Sequence, residues 1–566
     1  MAVATISLLA ASWAGAQGKR AQALPRNQVL VTSGSAWGPE SNFNPYSSSV
    51  TGVLGLCYET LLRYDPLADK YIPWLAQKAG FKGKKYVIVV RKGIKYSNGQ
   101  ALTAARVKAV INFGRHETAG WNVLWQNIKK MKVKKRTITI KFKGKPNYVQ
   151  WQNLMWNLQL INPSQFSGLN KDTWTTIGSE AGFNPVCTGP YTVDRGNTAS
   201  DGSNIVWVRN NKWWAAKKKV APLPKPKYIE DLQNTSNTNA LEGLLKDVND
   251  LNNNYLPGIQ KLVSDGDAQT YYPGKPYHNS ANTAWLEVNT THTPLGDAKF
   301  RKALAESVSV GYIVGAGDYN GVVAEANQTG LLKVWKKWIN KKQLKKLGFK
   351  RSTAAAKATL AAAGYKDVNS DGYVENKDGS KIDLSIEVPQ GWSDWEAARN
   401  IIVASAKNAG IRMHVEVGDY NKVMPTDRNQ GIFDTMVDNF YQISDNPWTY
   451  WNGIFHLPVL SVQTFANFGR YKNNTAWKLV LKLDRTPPTK KGRKTAMKLE
   501  KKLQKIMLTQ LPIIPMWYNG IWSQTQSKHW KNWPTSKKKK MHYIACMWAG
   551  YLNMTGIDTI THVKPA

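Results

Sequence analysis

Three consecutive segments in the second half of the chain constrain the fold most. Ile382–Val388 (IDLSIEV) reads as a strand, Glu396–Gly410 as a helix and Arg412–Val417 as another strand. That order describes a βαβ crossover and so a parallel pair of strands in one sheet. Earlier in the chain, Gln28–Ser33 (QVLVTS) alternates and Tyr86–Arg91 is rich in β-branched residues. Arg136–Lys141 (RTITIK) alternates strictly, with Thr and Ile on opposite faces. Thr103–Phe113 reads as a helix opened by a threonine cap, and helical patterns dominate Asp297–Gly348 and Thr353–Ala363. The fold class expected is α/β with several mixed sheets. A chain of 566 residues exceeds one hydrophobic core, so two or three domains are expected. With no internal repeat and no Pro/Ser-rich linker, the lobes should be joined by short crossing strands.

The N-terminus carries an apolar run, Ala2–Ala16, too short to span a bilayer as a helix. Ala14-Gly15-Ala16 and Ala21-Gln22-Ala23 each fit a small-x-small cleavage pattern. Residues 1–23 are therefore expected to be a secretion signal, although a basic leading region is missing, with the mature protein beginning near Leu24. No Cys follows the run, so lipid anchoring is not indicated. No later stretch reaches 18 apolar residues, so the remainder is expected to be soluble and extracytoplasmic.

Charge raises the question of an anionic partner. The formal net charge is +39, from 77 Lys+Arg against 38 Asp+Glu. The excess is spread along the chain and reflects scarce acids as much as abundant bases. The densest run, Lys537–Lys540, has no interleaved aromatics. A solvated basic surface, suited to a proton-rich or anionic surrounding, explains this better than nucleic-acid binding. A binder of anionic polymers would show steep salt dependence. Cys57, Cys187 and Cys546 leave room for one disulfide and match no zinc spacing.

One segment has the spacing of a calcium loop, with Asp367, Asn369 and Asp371 at positions 1, 3 and 5 and Gly372 at position 6. Position 12 is Asp378 instead of Glu, and a strand follows where a helix belongs, so an Asp/Asn/Gly turn is the competing reading. A calcium ion here would be structural, and no other cofactor is expected. Catalytic patterns are missing: there is no G-x-S-x-G elbow, phosphate loop, dinucleotide fingerprint or H-E-x-x-H. The eight His are scattered, and Asp394 with Glu396, or Asp434 with Asp438, are carboxylate pairs only as sequence neighbours. These observations exclude the common enzyme classes and leave binding.

An ordered set of segments then gives a resemblance. Asn42-Phe43-Asn44-Pro45, Tyr58-Glu59-Thr60-Leu61-Leu62, Leu75-Ala76 and Tyr86–Gly99 come first, followed by Ala101–Ala104. Asn184–Tyr191 (NPVCTGPY), Arg209–Trp214 (RNNKWW), Phe300–Ala305 (FRKALA) and Leu511–Pro515 (LPIIP) complete it. Together they resemble the extracytoplasmic solute-binding proteins of the oligopeptide/dipeptide type (family 5) that serve ABC importers. Cys187 stands where that family usually has Gly, and Ala105-Arg106 where it commonly has Asp-Asp. The resemblance implies a two-lobed periplasmic-binding-protein fold with an inserted domain, closing by a hinge over a small soluble ligand. It implies one lobe from 24–62, 186–288 and 520–566, an insertion at 63–185 and a second lobe at 289–519. It also implies a monomer that delivers its ligand to membrane permease subunits.

The 24 Trp bear on the ligand. Aromatic clusters with amides nearby resemble the cello-oligosaccharide and β-glycan branch of that family, since indoles stack on sugar faces and amides pair with hydroxyls. The ligand-binding candidates are Trp37, Asn42, Asn253, Asn254, Tyr255, Trp392, Trp395, Trp448, Trp451, Trp517, Tyr518 and Asn519. Core packing is the competing role for each of these rings. Asp445, in Ser444-Asp445-Asn446-Pro447, resembles the Asp before a Pro that holds the ammonium of a peptide ligand, and so keeps a peptide as the alternative.

Overall fold

The computed structural model describes residues 24–33, 42–47, 55–180, 182–199, 201–316, 319–440, 443–538, 541, 543–547 and 554–566. Trp37 and the expected secretion segment lie outside them.

The first strand, β1 (Val29–Ser33), is buried on both faces despite the alternation of the QVLVTS run, because it lies inside its sheet between two other strands. A hairpin follows, β2 (Leu62–Asp65) with β3 (Lys70–Pro73). Next comes a four-stranded antiparallel sheet of β4 (Ala76–Lys82), β5 (Lys85–Val90), β6 (Ile128–Lys134) and β7 (Thr137–Phe142), in the order β4-β5-β7-β6. On β7, Ile138 and Ile140 are buried while Thr137 and Thr139 are half-buried, which is the alternation read from the sequence. The edge strand β6 is lined with lysines (Lys129, Lys130, Lys132, Lys134), a charge pattern that keeps an open edge from pairing with another chain. The helix Ala104–Asn112 starts where expected, with the Thr103 hydroxyl accepting from the Arg106 N–H at 3.2 Å.

The chain then returns to β1 through β8 (Tyr191–Val193), β9 (Asn204–Arg209), β10 (Tyr228–Leu232) and β11 (Leu251–Asn252). A second six-stranded sheet is built from β12 (Ser280–Val288), β13 (Ala324–Glu325), β14 (Leu384–Pro389), β15 (Met413–Gly418), β16 (Thr435–Phe440) and β17 (Ile513–Gly520). Its order is β13-β17-β12-β16-β14-β15. Finally β18 (Gln524–Thr525) rejoins the first sheet, ordered β18-β11-β1-β10-β9-β8. The crossover is as read: β14 and β15 are parallel, joined by the helix Ser393–Asn408.

Strand pairing moves one expected boundary. β12 falls inside 186–288, expected in the first lobe, yet it is a central strand of the second sheet, flanked by β16 and β17. Nine consecutive residues, with all but Ser280 buried, read alike in either sheet, so only the partners decide. The helical reading of Asp297–Gly348 is also too simple. Helices occupy Ala298–Ser307, Val310–Gly315 and Lys341–Leu347, with strand β13 and a turn at Asn327–Gly330 between them. There the Asn327 carboxamide oxygen accepts from the Thr329 N–H at 3.0 Å, the local competition that ends helices at Asn.

Two features hold together the place where the chain leaves the first lobe for the inserted domain and returns from it. Cys57 and Cys187 form a disulfide with Cα atoms 5.0 Å apart, and Cys546 is buried outside that bridge. Two residues on, the Glu59 carboxylate is fully buried and accepts indole N–H bonds from Trp74 (2.8 Å), Trp214 (2.7 Å) and Trp213 (3.3 Å). Burial raises its pKa to about 7, against the lowering effect of those donors.

Candidate functional site

Two antiparallel segments cross between the sheets. On the first-lobe side, Gln269 and Thr525 exchange backbone bonds of 2.7 and 2.9 Å. On the second-lobe side, Ser280 pairs with Gly520, and the Ile521 N–H donates to the Asn279 carbonyl at 2.6 Å. The crossing is packed with rings: Trp522 meets His278 and Tyr255 edge-on at 5.1 and 5.3 Å. His278 is buried, which holds its pKa down at about 3 and leaves it neutral.

Among the described residues, two open cavities lie between the lobes. One, of about 600 Å³, is lined by Pro66, Leu67 and Asp69 from the β2–β3 turn, by Tyr272, His278 and Asn279 from the crossing, and by Lys333, Lys336, Lys337 and Ile443 from the second lobe. The other, of about 670 Å³, has Tyr71, Phe81, Tyr148 and Gln152 on the inserted domain and Lys337, Trp338, Asp445 and Asn446 opposite. Both sizes suit a small-molecule ligand. Aromatic faces beside a carboxylate and two amides can stack an apolar surface and bind hydroxyl or ammonium groups. Tyr71 donates to the Asp445 carboxylate at 2.9 Å, and burial pushes the Asp445 pKa up.

Of the residues singled out from the sequence, Asp445 lines a cavity. The others are mostly engaged in the fold. Asn42 donates to the Thr175 carbonyl (2.7 Å) and accepts from the Asn44 N–H (2.9 Å). Asn253 clamps the C-terminal segment through the Trp522 and Ala545 carbonyls and the Met547 N–H, and Asn254 accepts from Asn234 at 2.8 Å. Tyr255, Trp517 and Asn519 are buried at or beside the crossing, and the Tyr518 hydroxyl donates to the Leu331 carbonyl at 3.0 Å. Trp448 donates to the Val480 carbonyl, and Trp451 to the Glu500 carboxylate at 2.6 Å. Trp395 is buried, whereas Trp392 is part-exposed where the two lobes touch: the neighbouring Asp394 accepts from Asn237 of the first lobe at 3.0 Å. Among the described tryptophans, all but Trp125, Trp392 and Trp477 are buried, so core packing accounts for most of the abundance.

The calcium-type loop is closed by its own bonds. Asp367 accepts from the Asp371 and Gly372 N–H groups, Asn369 from the Asp371 N–H, and Asp371 pairs with Arg412. Among the described residues no group of three His, Cys, Asp or Glu side chains is arranged to hold a metal. Sequence reasoning missed Tyr71, Phe81, Tyr148 and Trp338. Each is a single ring in unremarkable surroundings, and they meet only because the inserted domain faces the second lobe.

Two sheets joined by a double crossing, with ligand-sized cavities between the inserted domain and the second lobe, are the architecture of a two-lobed solute-binding protein. Residues 70–458 match the family described as bacterial extracellular solute-binding proteins, family 5 Middle, and the chain belongs to that family. It is the solute-binding component of an ABC transporter and not an enzyme. A probable ABC transporter-binding protein of Deinococcus radiodurans is 24% identical over 413 residues, 67% of each chain. The mannohexaose-bound periplasmic oligopeptide-binding protein of Thermotoga maritima is 32% identical, with TM-score 0.88, covering 96% of this chain and 99% of that one. The oligopeptide-binding protein AppA of Bacillus subtilis, solved with a nonapeptide, shares the fold at TM-score 0.70 and 17% identity, covering 95% and 99%. Among the described residues no helix is long and apolar enough to cross a membrane.

Proposed function

We propose that this protein captures β-linked gluco- or manno-oligosaccharides between its lobes and delivers them to membrane permease subunits, acting as a secreted monomer. The observation that carries the reading is the 32% identity, over almost the whole chain, to a relative solved with mannohexaose. The aromatic rings Tyr71, Phe81, Tyr148 and Trp338, interleaved with Gln152, Asp445 and Asn446, support it, because sugar faces stack on rings while their hydroxyls need polar partners. Closure about the double crossing at 269–280 and 520–525 would bury the ligand from both sides.

Isothermal titration calorimetry with cello- and manno-oligosaccharides, and with di- to pentapeptides, tests the reading. Saturable glycan heats with none from peptides are expected. The peptide alternative draws on Asp445, a carboxylate in the cavity, and on the 28% identity to AppA over 186 residues. Peptide binding that disappears in Asp445→Ala would replace the glycan reading with that one.

A further inference from the structure

Among the described residues, Asp69 and Lys337 alone line both cavities, and they are ion-paired with each other across the cleft. Each is held from behind by its own lobe. Asp69 sits in the left-handed region at φ 50° in the β2–β3 turn, and its other oxygen accepts from the Tyr64 hydroxyl at 3.0 Å. Lys337 lies in the segment pinned by the Trp335 indole, which donates to the Ser444 carbonyl at 2.6 Å. About a third of each side chain is exposed, and ion pairs of that exposure contribute little to stability. The positions on both sides are fixed while the bond between them is weak.

We infer that the Asp69–Lys337 pair is a partition that sets ligand length, dividing one long groove into two compartments. A short oligomer fills one compartment and ends against the pair; a longer one must displace it. The inference rests on the groove being the ligand site, and the partition applies to any linear oligomer. The pair is poised to separate, because parting it exposes two charges that were already partly hydrated.

The experiment measures dissociation constants for two ladders, β-linked manno-oligosaccharides and oligoalanines, each from dimer to hexamer, on the wild type and on Asp69→Gly/Lys337→Ala. Glycine accepts φ 50° without strain, so the double variant keeps the turn. The expected result is a wild-type affinity that levels off with length, and a variant whose hexamer-over-dimer preference is greater by roughly tenfold. The same length profile in both proteins overturns the partition. Binding of oligoalanines in place of glycans overturns the proposed ligand class instead, and the oligoalanine lengths then give the partition result.

Discussion

The Tyr71 hydroxyl donates a 2.9 Å hydrogen bond to the Asp445 carboxylate, tying the inserted domain's hairpin to the second lobe inside a ligand-sized cavity. On the proposed hinge closure, the bond belongs to the closed form, in which the two partners face each other across the cavity. Tyr71→Phe removes it and leaves the ring. A bond to a charged acceptor contributes about 1.5–3 kcal/mol, so ligand affinity should fall by roughly tenfold or more with little change in melting temperature. Calorimetric titration of the variant checks this, and unchanged affinity would show that the bond plays no part in closure.

Buried carboxylates make stability depend on pH in an unusual direction. Burial raises Glu59 to about 7 and both Glu287 and Glu500 to about 8, from an ordinary value of 4.5. For each of these groups the folded state holds a proton over a range in which the unfolded chain has lost it. Their contribution is full below about pH 4.5 and is lost as pH rises through 7 to 8. The melting temperature should therefore be higher at pH 5.5 than at pH 9, and Glu59→Gln should flatten part of that slope. A melting temperature that climbs from pH 5.5 to 9 would contradict the prediction.

The Trp451 indole donates to Glu500, whose other oxygen is buried without a partner. Trp451→Phe deprives the acid of its one hydrogen bond and should cost about 1–3 kcal/mol of stability. It should leave ligand affinity untouched, since the ring is fully buried. Thermal melts and titration of the same variant separate the two roles, and lost affinity with intact stability would return Trp451 to the ligand site.

That contrast marks what the sequence could and could not disclose. Local grammar was legible: Thr103 caps its helix, β7 alternates, and β14 and β15 are parallel around their crossover helix. The family segments were legible too, because they follow one another in order. The ligand surface was not. Trp517 and Trp338 carry the same side chain, but one is sealed in a strand with neighbours on both sides and the other lines a cavity. Their difference arises from which distant segments pack against them. Clusters such as Trp517-Tyr518 and Trp448–Trp451 are dense in rings, and density marks the hydrophobic crossing and the helix core as readily as a binding face.

The disulfide closes a long loop. Cys57 and Cys187 are 130 residues apart, and the span between them includes the whole inserted domain. Restricting the unfolded chain by such a loop is worth about 2–4 kcal/mol. Cys57→Ala/Cys187→Ala should lower the midpoint of denaturant unfolding at neutral pH while leaving ligand affinity near wild type, because neither residue lines a cavity.

Asp484 gives the sharpest test of how the inserted domain is held. It ends a second-lobe helix, Asn474–Asp484, yet its carboxylate serves the N-terminus of the inserted domain's helix Tyr148–Asn157. It accepts from the Gln150 backbone N–H at 2.9 Å and from the Gln150 and Asn147 amides at 2.7 and 2.6 Å. The helix's own N-cap, Asn147, supplies no side-chain cap, so the acid from the opposite lobe satisfies an N–H that the helix cannot. Asp484→Ala leaves one buried and two half-buried donors without an acceptor and should cost about 2 kcal/mol. Asp484→Asn retains one acceptor oxygen and should fall between the two. Hydrogen exchange should quicken in residues 148–157 of the alanine variant while β9 and β10, in the first sheet, keep their protection. Uniform loss of protection across both sheets would mean that Asp484 supports the whole fold and is not a clasp between domains.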